Sequence, residues 1–501
     1  MSNLHDTHDH TQAKKEDEWH EQDDVEQDAI ALAATYTPGS DAEKALVRKI
    51  DKRIIPCIWI LYTLSYLDRA NIGNAKTGGL ESHFALTSNQ YSIVLLVFFI
   101  SYVVFEIPSN LLIARVRPSL YLSGLCVIWG GVAALMGATH NWQQLAGVRF
   151  ALGVLEAGFA PGVAFYLSSW YKRYELASRF SIYYTATAVS GAFSGLLAGL
   201  ITQHLDGARG IEGWRWLFII EGVGSSFVGC FTWYFMPDWP STTKFLSGEE
   251  RILAAQRLAY DGLANTAGAQ GHLGHWQAIK MVLVDWRTWM FVFLYMLCTG
   301  AQTIQYFVPT LIGALGWTGF TGQYHTIPLY ACAFVFILVF CWTADYLRMK
   351  PQAITLAATM GTIFFIIVVS TTKHYVQYVF IILAFGCVYA LPPLILTWVP
   401  NVITQPAEKR AVAIALVNAL GNSASIYGVF LWPKTDAPRY IPGFSATTVF
   451  MALIAVGAQV MFFLIKKYPA EQLNPEEAVM QEIEKQRAQG RLPPADAATR
   501  A

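Results

Sequence analysis

The chain has 501 residues, of which 54% are hydrophobic and 14% charged, with equal numbers of acidic and basic residues and a mean hydropathy of +0.36. Soluble domains carry about 25% charged residues, so this composition excludes an ordinary soluble globular protein and points to the lipid phase. A net charge of zero removes the electrostatic basis for nucleic-acid binding.

Residues 1–50 are rich in Asp, Glu, His and Gln and have too little apolar surface to fold alone, so a disordered cytoplasmic tail is expected there. Within it HDTHDH (His5 to His10) holds metal-ligating residue types, but a solvated tail is the simpler reading, and no metal or cofactor is expected. The first apolar run starts near Ile54, so no secretory leader is expected. From there twelve runs follow, at 54–73, 90–113, 119–138, 143–168, 179–203, 215–236, 288–312, 323–345, 353–371, 376–398, 411–432 and 446–466. Each approaches the roughly 20 apolar residues that a helix needs to cross a bilayer. Lipid offers no partner for backbone N–H and C=O groups, so runs of this length must be helical. The expected fold is an all-α membrane protein, twelve transmembrane helices in two six-helix halves, residues 51–237 and 287–467.

The polar stretch 238–286 separates the halves as a cytoplasmic loop. Inside it FLSGEERILAAQRL predicts a short amphipathic helix, with Ser247 as N-cap and Glu250 three residues on. Residues 468–501 read as a second mobile cytoplasmic tail. A weak repeat supports the division: ARVRPS follows the second run, LRMKPQ follows the eighth, and Pro118 and Pro351 are offset by 233 residues. Basic residues collect on one side, at Lys49, Lys52, Arg53, Arg115, Arg117, Lys172, Arg173, Arg179, Arg348, Lys350, Lys409, Arg410, Lys466 and Lys467. The opposite side has bare loops near His140 and Gly319 and fewer cations, so both termini are expected in the cytoplasm. All seven cysteines lie in apolar runs, and no disulfide is expected.

Apart from residues at the very ends of the runs, six charges fall inside them: Asp68, Arg69, Glu106, Arg149, Glu156 and Glu221. A charge at the bilayer centre costs about 2.5–3.5 kcal/mol on the insertion scale, so these should face the bundle interior. Arg149 and Glu156 are seven residues apart, two helical turns, and share a face about 10 Å apart. Each can reach a partner on the first helix. Two acids and two bases on two helices suit a titratable site. Glu106 and Glu221 lack a second charge at useful spacing and are read as locks between helices. All six lie in the first half; at the repeat offset the second half offers Gln302 and Tyr389 instead. Weaker pocket candidates are Gln302, Gln305, Tyr389, Thr397, Trp398 and the i, i+4 pair Asn418 and Asn422, with interhelical hydrogen bonding as their alternative role. Asn71 and Gly73 are read as shaping a helix end. The small-residue runs GVLEAGFAPG and GAFSGLLAG are read as letting helices approach and slide.

Taken together, YLDRANIGNAK (66–76), FEIPSNLLIARVRPS (105–119), RFALGVLEAGFAPGVAFYLSSWYKRYE (149–175), GAFSGLLAG (191–199), GWRWLFIIEG (213–222), MPDWPSTTKFLSGEER (236–251) and LTWVPNVITQPAEKRAVAIALVNALGN (396–422) resemble the major facilitator superfamily. Within it they are most similar to the anion:cation symporters, in the fungal allantoate-permease branch that includes nicotinate and pantothenate transporters. The superfamily's usual G-x-x-x-D-R-x-G-R-R loop is absent; NLLIARVRPS has no Asp, and part of the pattern survives as ADYLRMK (344–350). The resemblance implies a secondary active transporter of a small organic anion, by proton symport across the plasma membrane. Arg69 and Arg149 engage the substrate carboxylate, and Asp68 and Glu156 carry protons. The implied partners are the anion, protons and the lipid bilayer, and the chain is expected to act as a monomer. Rival readings are an exporter of an acidic metabolite made by the same cell, a non-transporting nutrient sensor, and an enzyme. The sequence has no phosphate loop, metal cluster or nucleophile elbow to support the last.

Overall fold

The computed structural model describes residues 31–113, 116–261, 275–347, 349–403, 407–468 and 475–489, which form helices and turns with no strand among them. The first half comprises α1 (Asp41–Ala75), α2 (Ser88–Ile113), α3 (Pro118–Met136), α4 (Trp142–Ser168), α5 (Arg173–His204) and α6 (Gly213–Phe235). Two helices link the halves, α7 (Gly248–Tyr260) and α8 (His275–Val284). The second half comprises α9 (Trp286–Ala314), α10 (Thr321–Leu347), α11 (Lys350–Ser370), α12 (His374–Val402), α13 (Val412–Gly428) and α14 (Ile441–Lys467), and α15 (Pro475–Ala488) follows. This is the expected twelve-helix architecture. Among the described residues ten of these helices are long and apolar enough to cross a membrane. The other two are α1, diluted by Asp68 and Arg69, and α13, interrupted between Asn422 and Ser425.

Two more spans carry breaks. In α4 the regular helix ends at Glu156 and resumes at Phe159. In α9 it ends at Gln302 and passes through a tighter turn, Thr303–Phe307. Irregular backbone at membrane depth persists only where protein buries it or where it lines a cavity, so both breaks point inward. Pro118 and Pro351 both sit in the first turn of their helices, α3 and α11, where a missing N–H costs nothing. The repeat seen in the sequence is thus a repeat of helix starts.

The halves meet along three lines. Gly73 of α1 packs on the Tyr306 carbonyl, where a Cβ would come within 2.8 Å of the oxygen. Gly191 of α5 lies under the Tyr330 ring of α10, with no room for a side chain. Ser92 of α2 donates to the Val429 carbonyl beyond α13 at 3.1 Å. Gly191 belongs to the GAFSGLLAG run, so those small residues do bring two helices together, and across the halves.

The polar segments differ from expectation. Packed structure begins before residue 51. Glu43 is buried and takes ion pairs from Lys172 at 2.8 Å and Arg257 at 3.0 Å, while Arg257 also pairs with Glu175 at 2.7 Å. This network binds α7 to the starts of α1 and α5. Burial alone pushes the Glu43 carboxyl up, but hydrogen bonds from Lys172, Tyr36 and the Gly39 N–H outweigh it and hold it at about 2. In α7, Ser247 and Glu250 form the expected capping box, and Glu250 also pairs with Lys49 at 2.7 Å. Nor is the segment after 468 wholly free: Ile483 of α15 is buried with Ala33 and Ala259. Short apolar contacts, too sparse to register as a core in sequence, hold these pieces to the first half. HDTHDH lies outside the described residues.

Candidate functional site: a buried charge cluster between the halves

Ser65 and Arg69 are four residues apart on α1 and share a face. Both donate to one oxygen of Glu156, Arg69 Nε at 2.6 Å and Ser65 Oγ at 3.1 Å. Glu156 is fully buried at the break in α4, and its other oxygen, Oε1, has no partner among the described residues. The Arg69 guanidinium also lies over three rings, Tyr102 at 4.8 Å, Tyr66 at 5.2 Å and Phe98 at 5.4 Å. Arg149 uses the same Phe98 ring, at 5.5 Å. Phe98 and Tyr102 are themselves four apart on α2, so one face of that helix supplies the aromatic floor for both cations.

Arg149 is 2% exposed, and its Nε and Nη2 have no hydrogen-bond partner among the described residues. Asp68 is equally buried, and its Oδ2 likewise has no partner among them. The two attract electrostatically without a hydrogen bond between them. The cluster therefore holds one closed ion pair, Arg69–Glu156, and two buried charged side chains, Asp68 and Arg149, that form no ion pair among the described residues. Leaving a buried charge uncompensated costs about 3–5 kcal/mol, more than the roughly 2 kcal/mol of a desolvated cation–π contact. A guanidinium left without partners in the bundle interior can offer two N–H donors to a planar anion.

The second half contributes neutral groups. Gln302, the last residue of the regular helix in α9, donates to the Tyr184 hydroxyl of α5 at 3.2 Å. Tyr389 of α12 is fully buried and donates to Gln305 Oε1 at 2.6 Å, within its own half. Asn418 of α13 donates to Glu106 Oε1 at 2.6 Å across the halves. Asn422, one turn on, is half-buried and makes no side-chain hydrogen bond among the described residues. Thr397 bonds back to its own helix, and Trp398 packs edge-on against Phe291. The structure thus gathers Asp68, Arg69, Arg149 and Glu156 into one cluster. Gln302 and Asn418 instead lie on the seam between halves.

Several roles differ from the sequence reading. Glu106 is a lock, but to an amide rather than a cation. Glu221 is not a lock: neither carboxylate oxygen has a partner among the described residues, although the side chain is buried. Its helix packs on α3 at glycine contacts, Gly130 against Gly222, and no basic side chain reaches it there. Asn71 does more than shape a helix end: Ser194 of α5 donates to its Oδ1, and Ser194 in turn accepts from Asn74 at 2.6 Å. Ser65, Tyr66, Phe98, Tyr102 and Tyr184 were missed. The i, i+4 spacing of Ser65 with Arg69, and of Phe98 with Tyr102, was the available signal.

The model of the Major Facilitator Superfamily matches residues 58–429. The chain belongs to the Major Facilitator Superfamily. Among its superfamily relatives is the "MFS transporter prlL" of a fungal species (strain NRRL 50135), 35% identical over 415 residues, 80% of this chain and 82% of that one. The "MFS-type transporter cnsO" of Penicillium expansum is 32% identical, covering 85% of this chain and 84% of its own. The "Major facilitator-type transporter hxnP" of Emericella nidulans is 30% identical, over 81% and 83%. Among solved structures, the proton:xylose symporter XylE is similar with a TM-score of 0.64 at 16% identity, covering 86% of this chain and 99% of that one. A bacterial homologue of the human lysosomal transporter Spinster gives 0.61 at 15%, covering 85% of this chain and 97% of that one. At those identities the likeness speaks for the fold alone. The chain is a multi-pass integral membrane protein and a transporter of the superfamily type, and these relatives are named as transporters rather than enzymes.

Proposed function

We propose that this transporter carries a small organic anion, a nicotinate-like carboxylate by preference, together with protons, and that it belongs to the anion:cation symporter branch. The observation that carries the reading is the buried Arg149 guanidinium, whose Nε and Nη2 have no partner among the described residues, beside the closed Arg69–Glu156 pair. An incoming carboxylate takes the free donors of Arg149 first. It then competes with Glu156 for Arg69, and a proton on Glu156 settles that competition in its favour. Asp68, the second acid of the cluster, whose Oδ2 also has no partner among the described residues, is the second proton carrier. Anion and proton binding favour each other, which is the condition for symport. The neutral groups of the second half, Gln302, Gln305, Tyr389, Asn418 and Asn422, face the body of the substrate once the seam opens. Alternating access then needs Gln302–Tyr184 and Asn418–Glu106 to break and re-form as the halves rock. We place both termini in the cytoplasm, the protein in the plasma membrane, and the working unit as a monomer.

The test is uptake of radiolabelled small carboxylates, nicotinate among them, at two external pH values, by the wild type, Arg69→Gln and Arg149→Gln. The reading requires pH-dependent uptake that both variants lose. Normal uptake by both removes the anion site from these residues.

A further inference from the structure

Away from the charge cluster, at the end of the bundle opposite the linking helices, a cavity of about 550 Å³ opens between the halves. That is within the size range of small-molecule sites. Lys76, Thr77 and Glu81 line it from the first half, and Trp317, Gln323 and Lys434 from the second. Its charges do not balance. Lys434 and Glu81 form an ion pair at 2.9 Å. Lys76 is 6% exposed and makes no hydrogen bond to a described residue; its ammonium is held over the rings of Tyr91, at 4.3 Å, and Phe307, at 5.6 Å. An ammonium has three donors and no acceptor, and ring faces leave those donors free for a ligand in the cavity.

We propose that this cavity is an outer binding site for a small organic anion, with Lys76 as its charged anchor. The ligand class rests on the anion reading above. The geometry adds its place on the path. Lys76 follows Arg69 by seven residues on the same helical stretch, two turns and about 10 Å further along one face. Between them lies a seal: Gly73 packs on the Tyr306 carbonyl, and the Tyr91 hydroxyl donates to that same carbonyl at 3.3 Å. Tyr91 is also the ring under Lys76. An anion at Lys76 is therefore separated from Arg69 by one layer, and it rests on a residue that forms that layer. The Trp317 ring supplies an apolar face for the rest of a small acid. Here the outer site captures, and the inner pair of arginines carries the substrate through.

The test reads charge at the cavity without requiring transport. Thr318, exposed on the cavity rim, is replaced by Cys in the purified full chain in detergent. It is labelled with an anionic (sulfonatoethyl) and a cationic (trimethylammonium-ethyl) methanethiosulfonate. Rates are corrected for a free thiol and for labelling of the unmutated chain. The expected preference for the anionic reagent is roughly tenfold. Lys76→Gln should bring it close to parity and Lys76→Arg should keep it. Glu81→Gln, which removes the acid and leaves both cations, should raise it, and this arm stands even where Lys76→Gln does not fold. Millimolar nicotinate or benzoate should slow labelling in the Thr318→Cys chain and equally with Arg149→Gln added, but not with Lys76→Gln. Equal rates for the two reagents overturn the proposal. So does the absence of protection by either acid, or protection lost with Arg149→Gln and kept with Lys76→Gln. Transport can fail in Arg149→Gln whatever this labelling shows, so the two readings fail separately.

Discussion

The first half brings Asp68, Arg69, Arg149, Glu156 and Glu221 into its interior, all nine-tenths or more buried. The second half offers amides and a hydroxyl: Gln302 and Asn418 bond across the seam, and Tyr389 bonds to Gln305. The helix plan repeats and the chemistry does not. Guanidinium and carboxylate groups gain most from a desolvated interior when their partners change during the cycle, whereas amides and hydroxyls can exchange one hydrogen bond for another at little net cost. In the proposed mechanism the driving charge falls to one half and the fit to the substrate to the other. The seam bonds, Gln302–Tyr184 and Asn418–Glu106, are where the two meet.

The comparison can be broken most forcefully at the arginines. Arg149→Gln should lower kcat/KM for carboxylate uptake about 100-fold, because an anion loses its buried counter-charge. A comparable loss from Tyr389→Phe, with Arg149→Gln mild, would reverse the assignment of the halves. Glu156→Gln should sharpen it: exchange of substrate across proteoliposomes persists, while uptake driven by a proton gradient disappears. Asn418→Ala should leave Glu106 Oε1 buried without its donor. A loss of about 1–3 kcal/mol in thermal stability is expected, with a several-fold change in KM and coupling intact.

The linking segment belongs with the charged half, through Glu43, Lys172, Glu175 and Arg257. Because the folded Glu43 carboxyl sits at about 2, below its ordinary value of 4.5, its contribution is fully present above pH 4.5 and is lost as pH falls toward 2. Protease cleavage within α7 should therefore rise over that interval and stay flat between pH 5 and 8. The smallest effect is expected at Glu221. With neither oxygen partnered, Glu221→Gln should change the melting temperature little and leave the pH dependence of uptake in place; loss of that dependence would add Glu221 to the proton carriers.

The twelve helices were legible because lipid enforces them: a run of apolar residues of spanning length has one stable conformation. The first helix was found despite Asp68 and Arg69 because the runs around it fixed its place. The four charges were legible for the same reason, since a charge in such a run needs an explanation. The pairing was not. Nothing in spacing says that Arg69, rather than Arg149, takes Glu156; that follows from where α4 breaks and how far Gly73 lets α1 approach α9. The aromatic floor of Tyr66, Phe98 and Tyr102 was hidden because such rings are common in apolar helices. The packing of residues before 51 and of Ile483 was hidden because it depends on a few contacts and a buried ion network between segments far apart in sequence.

The central claim is that anion and Glu156 compete for Arg69, so that anion binding draws in a proton. The direct measurement is proton uptake by the purified transporter in weakly buffered solution when nicotinate, or another carboxylate shown to be a substrate, is added. The account predicts net proton uptake on binding, abolished in Glu156→Gln while anion binding remains. Binding with no proton uptake in the wild type, or with proton release, would contradict it.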